Sequence, residues 1–135
     1  MTNEEKELLL KDICCRLPYN VKVHAKYTDP IETIEVDGIV KMVETDSVGI
    51  EVINDFGSAW TCVHIDNVKP YLFPMSSMTG EQRREYVQIA NKCGTIASSQ
   101  LTGMTVQDWF NKNRLDYRGL IPMGLAIDAT GLGIY

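Results

Sequence analysis

Four absences narrow what this chain can be. None of its cysteines, Cys14, Cys15, Cys62 and Cys93, stands in a C-x-x-C pair, and adjacent Cys14 and Cys15 do not suit a structural disulfide; free thiols of a reducing compartment are the simplest expectation. A glycine-rich phosphate loop is missing, because GMTVQDW and GLIPMG lack both the Lys-Ser/Thr and the strand–turn–helix context. There is no basic run. No apolar stretch is long enough to cross a bilayer: MTNEEKELLLKDICC offers three leucines behind acids, and the apolar segment near the end is broken by Pro122 and Gly124. These features exclude a secretory signal and a membrane span and lead us to expect a cytoplasmic protein.

What remains is an ordinary folded composition. In 135 residues, 44% are hydrophobic and 23% charged, enough for one domain or two very small ones. The net charge of -5 is unevenly spread. Residues 1–20 and 74–135 are nearly balanced, whereas residues 21–73 set four lysines against nine acids. That middle part should repel a nucleic-acid backbone unless its lysines gather on one face.

The element pattern predicts an α+β protein. Asn3 is positioned to cap a helix running to Leu17, with Glu4, Glu5 and Glu7 near its positive end and Pro18 closing it. At 100° per residue its apolar stripe is Leu9, Leu10, Ile13, Cys14 and Leu17. That buries Cys14 and puts Leu8 and Cys15 on the other side, among Lys11 and Asp12, exposed or meeting the C-terminal segment. NVKVHAKY then alternates, with Val21, Val23, Ala25 and Tyr27 on one face and Lys22, His24 and Lys26 on the other. IEVDGIVKMVE keeps Ile34, Val36, Val40 and Met42 in phase, with Gly38 at a bend or bulge. Two tight hairpins follow, through TDS and NDFGS, and a short turn precedes a fifth strand ending near Phe73. Five short strands over residues 20–73 are best buried as a small SH3-like β-barrel, an analogy of fold that carries no function. Capping boxes Thr79/Gln82 and Thr105/Asp108 open two further helices. Gln82, Tyr86, Ile89, Ala90 and Cys93 form the inner stripe of the first, Gly94 ends it, and residues 95–103 are loop. Val106, Trp109 and Phe110 point one way on the second. The expected divisions are an N-terminal helix (1–19), the barrel (20–74) and a C-terminal two-helix segment packed on it (75–135), together forming one compact unit.

No arrangement of residues points to catalysis. Cys62 and His64 share a strand face, the spacing of a metal pair, but zinc needs four ligands and the other candidates are scattered. Cys93 closes a helix, where the dipole disfavours a thiolate, and no histidine is near it in sequence. Glu32, Glu35, Asp37, Glu44 and Asp46 fall in loops and on outward phases, where acids keep a small sheet soluble. We therefore expect no catalytic residue, cofactor or metal. A nucleic-acid surface would use Lys22, His24 and Lys26 with Trp60 as a stacking ring. The stretch LDYRGLIPMGLAIDA, Leu115–Ala129, packs apolar residues around two glycines and a proline. It either closes a core between helices and barrel, with Asp116 capping a turn and Arg118 pairing to Asp116 or Asp108, or offers a protein-docking surface anchored by Trp109, Tyr117, Arg118 and Met123. In the first case Leu120 and Ile121 follow Trp109 and Phe110 into one cluster, covered by Leu125 and Ile127.

The segments LLLKDICCRLPYNVKV, VKPYLFPMSSMT and WFNKNRLDYRGLIPMGLAIDA resemble those of short uncharacterised proteins from gut anaerobic bacteria and their prophages. The resemblance covers both ends and the exit of the strand region. The departures are Phe73, where that family often has arginine, and the tail TGLGIY in place of a Pro-Glu-Gly-Met ending. The resemblance implies phage or prophage context and no activity. The expectation is a non-catalytic protein-interaction module whose partner is another protein or a second copy of itself, with a nucleic-acid-binding accessory protein as the alternative.

Overall fold

The computed structural model describes residues 1–54, 57–93 and 105–135. Helix α1 (Asn3–Arg16) runs into a 3-10 turn at Leu17–Tyr19 and then five strands: β1 (Lys22–Thr28), β2 (Thr33–Val43), β3 (Ser47–Asn54), β4 (Gly57–His64) and β5 (Val68–Leu72). Helices α2 (Gly80–Cys93) and α3 (Val106–Lys112) follow, and a two-residue strand β6 (Ile127–Asp128) ends the order. The fold is α+β: an N-terminal helix, one mixed open sheet of six strands and two C-terminal helices. No described helix is long and apolar enough to cross a membrane.

The sheet order is β4-β3-β2-β1-β5-β6. All neighbours are antiparallel except β5 and β6, which are parallel. Among the described residues no ladder joins β4 back to the far side, so the expected five-stranded barrel is not closed by hydrogen bonds. The sixth strand comes from the C-terminal apolar stretch, whose two-residue pairing is too short to carry an alternation signal.

Local chemistry explains most of the elements. Val21, Val23 and Ala25 are buried as the alternation predicts, and they join Val40, Val48, Ile50, Val63, Ile65, Val68 and Leu72 in one core against Leu9 and Ile13 of α1. Gly38 is a close approach of strands: a Cβ there would lie 2.9 Å from the Glu51 carbonyl oxygen. The register shift comes slightly later, between Val40 and Met42. It turns Met42 outward, against the phase read from the sequence, because an extra residue inverts the face of everything after it.

Helix α1 departs from the reading in two ways. Its cap is Thr2, in a capping box with Glu5, and not Asn3. Its buried face is Leu9, Asp12, Ile13 and Arg16, so the stripe is rotated from the one drawn on apolar residues alone. Cys14 is exposed and Cys15 half-buried, the reverse of the expectation. Both later capping boxes form, and Gln82, Tyr86, Ile89 and Ala90 do make the half-buried side of α2. The Cys93 side chain, Gly94 and the loop expected over residues 95–103 lie outside the described residues.

Candidate functional site

The residues singled out near the C-terminus mostly face inward. Trp109 is 3% exposed, and its indole N–H donates to Glu85 Oε2 at 3.2 Å. Phe110 stacks on Tyr86 and on Tyr117, at 5.5 and 5.3 Å between centroids. Tyr117 is half-buried, and its hydroxyl donates to Asn111 Oδ1 at 3.0 Å. Met123 alone of the four docking anchors is exposed, at 45%.

Arg118 reaches the first helix. Its Nε donates to Asp12 Oδ1 at 3.1 Å, whereas Asp116 and Asp108 were the expected partners. Asp116 instead accepts the backbone N–H groups of Leu120 and Ile121, at 2.8 and 2.9 Å, and so does cap the turn as expected. Asp12 also holds Arg16, through Nε at 2.8 Å and Nη2 at 3.1 Å, and Arg16 Nη2 donates to the Leu115 carbonyl at 2.7 Å. The Asp12 and Arg16 side chains are both fully buried. One arm of Arg16, Nη1, meets no acceptor among the described residues. Its guanidinium carbon lies 5.3 Å from the Tyr117 ring centre, and that of Arg118 lies 4.8 Å from it. Arg118 Nη2 is 3.7 Å from Cys15 Sγ, so Cys15 does meet the C-terminal segment.

This buried cluster is a staple. It ties the first helix to the segment that follows α3 through one carboxylate shared by two guanidinium groups, and it holds no nucleophile paired with a base. Asp12 and Arg16 fall outside the apolar stripe because hydropathy assigns charged residues to the surface. The signal was available: positions 9, 12, 13 and 16 have the spacing of a buried helical face, and Asp12 and Arg16 are an i,i+4 pair on it. Leu120, Leu125 and Ala126 enter the sheet core and not the aromatic cluster around Trp109, which corrects the expected packing of Leu120.

The outer face of the sheet carries the residues of the nucleic-acid reading. Lys22, His24 and Lys26 lie opposite Ile39, Asp37 and Glu35 in register. Each is occupied: Lys22 Nζ donates to the Ile134 carbonyl at 2.6 Å, His24 Nδ1 lies 2.9 Å from Asp37 Oδ1, and Lys26 pairs with Glu35 at 3.2 Å. Asp37 and Glu35 of β2 lie beside these cations on the same face, with Lys69 opposite His24 on β5. Asp37 also accepts a hydrogen bond from the Tyr71 hydroxyl at 2.8 Å. Burial, that bond and the Asp37 charge push the Tyr71 phenol up to about 12. Burial likewise raises Tyr135, against the opposing hydrogen bond from the Lys22 backbone and the Arg114 charge.

Trp60 stands on the same face but apart. It pairs in register with Glu51 on β3 and is 61% exposed. Met42 and Cys62 are exposed beside it. His64, two residues on, sits 3.2 Å from Asp66 Oδ2. No group of three or more potential metal ligands is found among the described residues. No protein-family model, curated protein or solved structure matches the chain.

Proposed function

We propose that the chain is a non-catalytic protein-interaction module, built on an SH3-like small barrel and presenting the β4 side of its sheet to a partner. Support for the fold reading comes from the four-strand meander, the 3-10 turn at Ile65–Asn67 and the return of β5 beside β1. In this reading the barrel is shut by side chains, Val63 and Ile65 packing with Val21 and Val23. The observation that carries the functional reading is Trp60: a large aromatic ring, mostly in solvent, on a strand without a single charged residue. The docking surface therefore moves from the DYRGLIPMGLA segment to β4. The resemblance to prophage-borne proteins adds a context, a cytoplasmic product of a mobile element or its host.

The test is capture of partners from a host lysate with and without nuclease, followed by titration of the partner identified. Trp60→Ala should weaken that partner by tenfold or more while the melting temperature stays put, and binding should hardly change with salt. Retention on heparin with steep release as salt rises would overturn the reading in favour of a nucleic-acid accessory protein.

A further inference from the structure

Among the described residues the β4 edge has what strand pairing needs and meets nothing that usually prevents it. Among the described residues β4 pairs with β3 alone, so every second residue turns its N–H and C=O away from the sheet. Edges are ordinarily blunted by charge, proline, a bulge, brevity or a covering loop. β4 is eight residues long, reads GSAWTCVH and has no Asp, Glu, Lys, Arg or Pro. Its register with β3 runs unbroken from Asn54↔Gly57 to Ser47↔His64. Gly57, Ser58, Ala59 and Trp60 are all exposed.

We propose that a second copy of the chain occupies this edge, joined antiparallel through β4 about a two-fold axis. The inference rests on reading β4 as the docking surface and names its occupant. Charge makes the choice. The sheet as a whole is acidic, but β4 is neutral, and the acids that flank it, Glu51 opposite Trp60 and Asp66 beside His64, already have Lys41 at 3.7 Å and Lys6 at 3.1 Å. A basic strand laid here would desolvate its cations against acids that are already paired, whereas a neutral strand leaves nothing uncompensated. β4 is itself such a strand.

Residues opposite one another in an antiparallel pair share a face, so the axis must pass beside a residue that pairs with itself. With that residue at Thr61, Trp60 lies beside Cys62 of the second copy and Ser58 beside its His64. These are a sulfur–aromatic contact, a hydroxyl–imidazole pair and a threonine pair, and no like charges face each other.

Sedimentation equilibrium of the full chain over a wide concentration range tests this. The expected mass rises from 15.2 kDa toward twice that value. Trp60→Lys and, separately, Ser58→Lys should each raise the dimer dissociation constant about tenfold or more with unchanged circular dichroism. Ser58 is exposed near the hairpin end, so it serves if the Trp60 variant fails to fold. A chain that stays monomeric at hundreds of micromolar overturns the proposal, and so does a dimer indifferent to both folded substitutions. If the monomeric chain still loses a different protein on Trp60→Lys, self-pairing falls and the docking reading stands. If no partner depends on Trp60, both fall.

Discussion

The sheet has two edges, and the chain treats them differently. Beyond β5 the C-terminal region supplies backbone to finish the ladder. Phe73 N–H donates to the Arg114 carbonyl and the Phe73 carbonyl accepts from Asp116 N–H, each at 2.8 Å. Ile127 and Asp128 then pair with Tyr71 and Leu72, and Ala129 N–H donates to the Leu72 carbonyl at 2.8 Å. Tyr135 closes the corner: its hydroxyl donates to the Tyr71 carbonyl and accepts from Lys22 N–H, with the Arg114 guanidinium 4.0 Å from its ring centre. At β4 the described residues provide nothing comparable. On the proposed reading the two edges serve different ends: the C-terminal region gives cohesion at one, and β4, uncharged and left exposed among the described residues, gives contact at the other.

Breaking the closed side should have the largest effect. Asp12→Ala leaves fully buried Arg16 without a counter-charge, and we expect a loss of about 3–5 kcal/mol in urea denaturation. Leu120→Ala, which empties a fully buried position where the C-terminal segment enters the core, should cost about 3 kcal/mol. Both substitutions should also speed amide exchange along β5 more than along β4.

A smaller effect lies at Tyr71. Its phenol stays protonated to about 12 in the fold, above the ordinary value near 10, so the unfolded chain ionises first. The stability it contributes is complete below pH 10 and is lost as pH rises toward 12. Tyr71→Phe should cost about 1 kcal/mol at neutral pH and flatten that alkaline decline, measured by urea melts across the range. The smallest effect belongs to the open side. Trp60→Ala should change monomer stability by no more than about 0.5 kcal/mol while weakening association.

The contrast between edges was only half legible in the sequence. Alternation placed β1 on the correct face, and the capping boxes Thr79/Gln82 and Thr105/Asp108 marked two helix starts, because these signals are local. The outward turn of Met42 was not legible, since a bulge inverts phase without any distinctive residue type. The Asp12–Arg16–Arg118 cluster depends on residues about a hundred positions apart, and apolar patterning discounts the charged ones. Trp109, buried, and Tyr117 and Arg118, half-buried, stand out in the sequence for the same reason that they turn inward: they assemble the closing segment. In the sequence Trp60 reads only as a ring for stacking on bases. Its importance depends on β4 being an edge, which is a property of topology.

Hydrogen exchange of the β4 and β5 amides, followed at a low and a high protein concentration, tests the account most directly. We predict that β5 amides are protected at both concentrations, and that alternate β4 amides exchange quickly when dilute and slow markedly when concentrated. β4 amides that exchange at the same rate at every concentration, or a β5 edge as labile as β4, would contradict it.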